Sequence, residues 1–404
     1  MKSSMHKDQY KSENKEANQM TKKLYYENAY RTTFTGKVIG CELGKEGYEV
    51  VLDKTAFYPE GGGQPADCGT LDRANVSYVF IKEEVIYHVV DQALEVGKIV
   101  EGRIDFNRRF DLMQQHSGEH IISGLISAKY GYNNVGFHLS NEYTTCDFDG
   151  ELTKEQLAEI EVLANEAIYK NMPIDCKIYE DIEIKDKAYR SKLDLAGQIR
   201  LVTVPEYDTC ACCGIHVRTT GEIGLIKCTA SEKHRGGTRV TMLCGKRALN
   251  DYHQKQEIIT GISKMLSAKP EVIINNLTKV QEELSLVKQR VASLTGELFE
   301  YKCENYLRTE AEAIYIYEED LQGDALRRLC LMLTERTDKV VLILTGSGEN
   351  FKYALGASKR DIRPLNKRLT ENFSGKGGGK SELCQGNLVG ELKEIKVFYE
   401  MHCI

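Results

Sequence analysis

The sequence predicts an α+β protein built from unlike parts in series. Short β-type runs broken by Gly and Asp occupy Phe34 to Asp105. Helical and strand-like stretches mix from Phe106 to Asn250, and a long apolar seam then leads into a strand, helix, strand pattern. At 404 residues the chain exceeds one ordinary core and should hold two or three domains.

Composition narrows the class. Hydrophobic residues at 41% and charged residues at 28% are ordinary for a globular protein, and the apolar run Val340 to Leu344 is far too short for a membrane span. Thirteen cysteines, an odd number without framework spacing, fit reduced thiols in a cytoplasm. A net charge of −6 opposes indiscriminate nucleic-acid binding but leaves room for a local basic face. Residues 1–19 are polar throughout and lack a signal-peptide core, so they read as a disordered leader, with Met1 and Met20 both open as the start.

The first structured part, residues 20–105, is a small β-barrel or sandwich. Its runs are "TGKVIGCEL", "YEVVLD", "VSYVFIKEEVIYHVV" and "VEGRID", with the Gly-rich "EGGGQ" between them. Residues 106–250 form an α+β domain with helices over Asp111 to Lys129 and Lys154 to Lys170, and strands in "GQIRLVTVP", "IGLIKCTA" and "TRVTMLCG". Residues 251–308 are helical. Leu277, Val280, Leu284, Val287, Val291, Leu294, Leu298 and Tyr301 alternate spacings of three and four, which makes a coiled-coil seam or a helix packed on its own domain.

Residues 309–404 read as an α/β domain: strand, helix and strand in "AEAIYIYEED", "ALRRLCLMLTERT" and "KVVLILTG", then a strand in "GENFKYALGAS". The Gly-rich "GKGGGKSELCQGNL" reads as a loop open to a phosphate or a neighbouring chain, followed by a terminal helix. It lacks the spacing of a P-loop. Lys352, Lys359, Arg360, Arg363, Lys367, Arg368, Lys376 and Lys380 outnumber Asp361 and Glu371, which points to a polyanionic partner.

Chemistry concentrates in the middle domain. "HSGEH" places His116 and His120 one helical turn apart on one face, and read literally it is the H-x-x-E-H pattern of a zinc peptidase. "CACCGIH" then offers Cys210, Cys212, Cys213 and His216, with Cys212 and His216 at the same separation as the histidine pair. His116, His120, Cys212 and His216 make a ligand set suited to Zn²⁺. A peptidase would want Glu119 as base and usually a carboxylate as third ligand, so the Cys-rich loop points to another kind of hydrolase. Glu119 then reads as a surface helix residue, with a role in orienting the ligands from behind as the alternative.

On these residues the sequence resembles the editing domain of alanyl-tRNA synthetase, and more closely the freestanding long AlaX-type editing proteins. "KLYYENAY", "DKTAFYPEGGGQPADCGTL", "RRFDLMQQHSGEH", "CCGIHVRTTGEIG" and "GKGGGKSELCQG" carry the resemblance over nearly the whole chain from Met20. The family's second metal motif usually reads C-G-G-T-H; here Cys213 and Ile215 stand for the first Gly and the Thr, which makes Cys213 a competing thiol.

The resemblance implies hydrolysis of mischarged Ser-tRNA(Ala) or Gly-tRNA(Ala) at one zinc per chain. It implies that the Thr55 hydroxyl recognises serine, that Gly62 and Gly63 bring backbone N–H groups to the acyl-adenosine, and that Gln64 hydrogen-bonds substrate. Such a second site is needed because a pocket shaped for alanine excludes glycine and serine poorly. It further implies tRNA contact by Lys359, Arg360, Arg363, Lys367, Arg368, Lys376 and Lys380, and a homodimer through the C-terminal region. Because only about thirty residues precede the barrel, the expectation is correction of charging errors without aminoacylation. Whether zinc activates water or positions substrate stays open, as does a non-catalytic tRNA-binding role with structural zinc. Editing proteins of threonyl-tRNA synthetase share both metal pairs, so the tRNA identity rests on the C-terminal resemblance.

Overall fold

The computed structural model describes residues 20–184, 187–191, 197–321 and 323–403; the polar leader 1–19 lies outside the described residues. The chain divides into two compact units, one running to Gly261 and the other covering Ile262–Ile404.

The first unit opens with strand β1 (Lys22–Lys23) and a single helical turn, α1 (Leu24–Glu27). Next come β2 (Thr33–Leu43), β3 (Tyr48–Leu52), β4 (Lys54–Thr55), β5 (Gly69–Leu71), β6 (Ala74–Lys82), β7 (Val85–Val90) and β8 (Ile99–Ile104). Six of them close on themselves in the order β2-β3-β7-β6-β5-β8, with β2 paired to both β3 and β8. Burial alternates residue by residue along β8, as a barrel with a filled interior requires. The long run "VSYVFIKEEVIYHVV" is a hairpin: Glu83 and Glu84 both take positive φ, +50° and +63°, and turn β6 back onto β7.

Helix α2 (Phe106–Tyr130) follows directly. The Asp105 side chain caps it by accepting from Arg108 N, and Gly131 ends it in the left-handed conformation. Most of its 25 residues are buried, including Gln114, Gln115, His116, Ser117, Glu119, His120 and Ser123. A helix buried on nearly every side must satisfy its polar groups internally. Gln115 does so against the backbone of Cys244, and Gln114 against Glu222. Arg109, fully buried, pairs with Asp67 and donates to the carbonyls of Ala29, Arg31 and Ala56, so the helix is bolted to the loop that carries the Gly-rich motif.

The remainder of this unit comprises β9 (Asn134–Leu139), β10 (Thr144–Phe148), α3 (Lys154–Lys170), β11 (Asp175–Tyr179), β12 (Ile199–Val204), β13 (Asp208–Ala211), β14 (Ile226–His234) and β15 (Gly237–Cys244). A four-stranded sheet runs β14-β15-β10-β9 and a three-stranded one β11-β12-β13. One hydrophobic core joins barrel, α2, α3 and both sheets, from Val50 and Phe57 through Ile121 and Ile122 to Val202 and Val240. Helix α4 (Gly245–Leu266) closes the unit.

The second unit contains α5 (Ile273–Leu307), β16 (Ala313–Tyr317), α6 (Gly323–Thr334), β17 (Val340–Ser347), β18 (Asn350–Gly356), α7 (Arg363–Asn372), β19 (Lys376–Gly379), β20 (Leu383–Val389) and α8 (Leu392–His402). Its sheet runs β16-β17-β18-β20-β19, parallel only between β16 and β17. Alternate residues of β17 face two cores: Val341 and Ile343 pack with α6, and Leu342 and Leu344 with α7 and α8. The Gly-rich stretch expected as a loop is in its first half the edge strand β19, paired antiparallel with β20. The pairing requires glycine at 377, since a Cβ there would fall 2.1 Å from Tyr353 Oη. On α5 the heptad positions Leu277 to Tyr301 are exposed, and the helix enters the core through Phe299 and Cys303, which lie off that seam. Among the described residues no helix is long and apolar enough to cross a membrane.

Candidate metal centre and its cleft

His116 and His120 project from the same face of α2, and the segment after β13 carries Cys212 and His216 to meet them. The potential ligand atoms of these four residues all lie within 4.8 Å of one another. Cys212 Sγ sits 3.4 Å from His116 Nε2 and 3.5 Å from His216 Nε2, while the three imidazole centroids are 4.6 to 5.4 Å apart. Gly214 makes this approach possible, since a Cβ there would fall 2.2 Å from His116 Cε1. Arg200 braces the loop by donating to the carbonyls of Cys212 and Gly214.

The outer nitrogens settle the orientation. His116 Nδ1 meets Gln64 Oε1 at 2.8 Å, His120 Nδ1 meets Asp208 Oδ2 at 2.9 Å, and His216 Nδ1 meets Ser117 Oγ at 3.2 Å. With every Nδ1 engaged by the protein, the Nε2 atoms remain for the common centre, the arrangement expected of metal-ligating imidazoles. Asp208 is itself held by Arg190 through two hydrogen bonds of 2.7 and 2.8 Å. His120, Asp208 and Cys210 also cluster, but there the carboxylate is already shared between His120 and Arg190.

The electrostatics follow. Burial alone raises the Cys212 thiol, but His116 and the hydrogen bonds from all three histidines hold it well below the usual thiol range. Burial opposes a charge on His120, yet Asp208 and Cys212 keep its imidazole well above the ordinary value. Burial pushes His216 down to about 3. A thiolate among imidazoles whose other nitrogens are fixed has the donor chemistry of a zinc site.

A cleft of about 1150 Å³ opens over this centre, with His116, His120, Cys212, Glu119, Gly62 and Gly63 among its lining. Gly62 and Gly63, at φ +59° and +79°, form a tight turn closed by reciprocal bonds between Gly61 and Gln64. Cys213 Sγ faces Gly62, so Cys212 is the thiol turned toward the histidines.

Three further expected residues are placed as follows. Gln64 is fully buried and is not among the residues lining the cleft; its Oε1 serves His116 Nδ1 and Ile215 N, while its Nε2 has no hydrogen-bond partner among the described residues. Thr55 does not line it either. Its Oγ1 lies 2.8 Å from His88 Nε2 and accepts from Phe57 N; His88 Nδ1 donates to Val50 O, so Nε2 must accept the Thr55 proton and the hydroxyl is spent inside the barrel. Glu119 is 5% exposed and not on the surface, because α2 is buried on the side where Ser123 and Asn134 bind its carboxylate. Asp208, Ser117 and Arg190 were not singled out by the sequence reading; an acid two residues before a Cys-rich loop was the one available signal for Asp208.

The comparisons with known proteins agree with this architecture. The family described as "Threonyl and Alanyl tRNA synthetase second additional domain" matches residues 199–241, and "tRNA synthetases class II (A)" matches residues 1–108. The alanyl-tRNA editing protein AlaX-L of Pyrococcus horikoshii is 26% identical over 93% of this chain and 96% of its own length. Over nearly its whole length the chain is similar to that alanyl-tRNA editing protein. Its relative Aarsd1-A of Xenopus laevis is 28% identical, over 92% of this chain and 96% of that one. The alanine–tRNA ligase of Ignicoccus hospitalis is 31% identical over 89% of this chain, which spans 40% of that ligase. Among solved structures, the C-Ala domain of Aquifex aeolicus alanyl-tRNA synthetase aligns at 24% identity with a TM-score of 0.22, covering 24% of this chain and 96% of that chain.

In the second unit the basic residues are exposed on β18, α7 and the segments around them. Several are partly neutralised: Lys359 pairs with Asp338, Arg363 with Asp361 and Lys367 with Glu371, while Arg360 donates to the Cys403 carbonyl. Arg368, Lys376 and Lys380 have no acidic partner among the described residues.

Proposed function

We propose that this chain is a trans-acting hydrolase that deacylates mischarged tRNA(Ala), with serine the principal amino acid removed and glycine the second. The supporting observation is the convergence of His116, His120, Cys212 and His216 at the floor of a cleft in a protein similar throughout its length to alanyl-tRNA editing proteins. One zinc ion per chain is held by these four side chains and supplies a positive centre that polarises or positions the ester.

The chain's own residues do the rest. Gln64, Asp208 and Ser117 fix the imidazoles. Gly62 and Gly63, without side chains, let backbone come close to the acyl-adenosine. Arg200 lines the cleft and brings positive charge to the phosphates of the acceptor end. The second unit holds the tRNA body through its basic residues, and the exposed seam of α5 joins two copies into a homodimer acting in the cytoplasm. Sedimentation at two concentrations checks the dimer, and a single-chain mass would remove it.

The decisive assay measures release of amino acid from Ser-, Gly- and Ala-tRNA(Ala) beside a casein digest. Serine is released fastest, Ala-tRNA(Ala) is spared and casein stays intact. The Cys212→Ala variant loses both zinc and activity. Digestion of casein, or no deacylation of any of the three tRNAs by the zinc-loaded protein, would reverse the reading.

A further inference from the structure

Glu119 is a buried acid that the arrangement of ligands leaves without a task. Its Oε1 accepts hydrogen bonds of 2.6 Å from both Ser123 Oγ and Asn134 Nδ2, and Asn134 also donates to Ser123 at 2.9 Å. One oxygen is therefore fixed from behind by two neutral donors. The other, Oε2, stands 4.0 Å from His120 Nε2, at the edge of the metal centre, and accepts no hydrogen bond among the described residues. Glu119 lines the cleft beside His116, His120 and Cys212.

The other acids around it are committed. Asp208 is shared by His120 and Arg190, while Glu27 and Glu84 on the cleft wall pair with Lys22 and Lys23. A buried carboxylate at the cleft, with one oxygen immobilised and the other beside His120 without a hydrogen-bond donor, is placed to receive a positively charged donor. In an aminoacyl ester the amino nitrogen is attached to the carbon next to the carbonyl, so an ester carbonyl brought to the metal centre carries its ammonium within a side chain's width of it. We infer that Glu119 Oε2 binds the α-ammonium group of the aminoacyl ester and makes the site selective for esters with a free amino group. This inference rests on the editing reading above and names a determinant within it.

The test uses full-length, zinc-loaded protein and two acylated forms of tRNA(Ala): the seryl ester, and the glyceroyl ester in which a hydroxyl replaces the α-amino group. Glu119→Gln keeps the shape of the side chain and its bonds to Ser123 and Asn134 but removes the negative charge. Wild type should favour the seryl ester, and Glu119→Gln should reduce that preference by about tenfold to a hundredfold, the worth of one charged hydrogen bond. The change should fall on kcat/KM for the seryl ester alone, with glyceroyl hydrolysis and zinc content unchanged.

An unaltered preference in Glu119→Gln overturns the assignment while leaving editing intact. Loss of zinc from that variant overturns it by making Glu119 a ligand. Hydrolysis of the two esters at equal rates by wild type needs no variant and overturns it as well. Failure of wild type to hydrolyse either ester removes the editing reading, and the assignment with it.

Discussion

Each imidazole at the centre gives its Nδ1 to the protein, so the partners of those nitrogens tune the site as directly as the ligands do. Asp208 is the most exacting of them, being buried and tied to both His120 and Arg190. Asp208→Ala should lower zinc affinity by about ten- to a hundredfold, read by competition with a chelator; an unchanged affinity would make Asp208 a packing residue only. Thr55 and His88 form a pair of another kind inside the barrel. Thr55→Val leaves His88 Nε2 without its donor and should cost about 1–3 kcal/mol in urea unfolding, with zinc retained. Burial depresses His88 to about 4, the Val50 carbonyl opposing this. Between that value and the unfolded value near 6.5 the unfolded chain binds the extra proton. Stability is therefore full above about pH 6.5 and falls by about 3 kcal/mol as pH drops to about 4, if other groups are held fixed. The urea midpoint should decline between pH 7 and 5, and less steeply in His88→Gln. The candidate ligands were legible because they come as two pairs at one spacing, whereas the burial of Glu119 was not, because its helix has no polar face to mark it. The bonding of Thr55 was not legible for a related reason: a motif position says nothing about which way a hydroxyl is already bonded.

At the scale of elements, the centre depends on a turn and a helix held in register. The turn at Gly62 and Gly63 sets Gln64 against His116, and Arg109 with Asp67 bolts the loop around it to α2. A Cβ on Gly63 would stand 2.5 Å from the Phe137 ring, and its φ of +79° is one that L side chains resist. Gly63→Ala should therefore displace the turn and reduce Ser-tRNA(Ala) deacylation by about a hundredfold, as misplacement by an ångström can. Retained activity would show that the turn does not approach the substrate. Sequence periodicity located α2, α3 and the long strands because each buries one regular stripe or alternates cleanly. It missed β1, β4, β5, β9 to β11, β13, the edge strand β19 and its partner β20, whose short or glycine-containing stretches have little intrinsic strand preference and pair because neighbouring strands impose the register.

On the scale of the whole molecule, an acidic chain is to hold a polyanion, and the distribution of charge decides how. The basic stretch was readable as a count of lysines and arginines, but which of them are paired was not, because Asp338 meets Lys359 only in the fold and the pairs Arg363–Asp361 and Lys367–Glu371 depend on local backbone geometry. Arg368, Lys376 and Lys380 keep their charge available, Lys376 opening the edge strand β19 and Lys380 following it. If these three contact phosphates, binding of full-length tRNA(Ala) weakens steeply with salt, and each lost contact lowers the logarithmic slope by roughly 0.7 to 0.9. The triple change Arg368→Glu, Lys376→Glu and Lys380→Glu should then flatten the slope by about 2, while Lys359→Ala and Arg363→Ala, whose charges are already paired, should alter it less. Hydrolysis of a short acylated acceptor stem should be untouched by the triple change, since the cleft and its metal ligands lie wholly in the first unit. Equal salt slopes for wild type and the triple variant would assign the tRNA contact to other residues and leave the basic stretch as solvated surface.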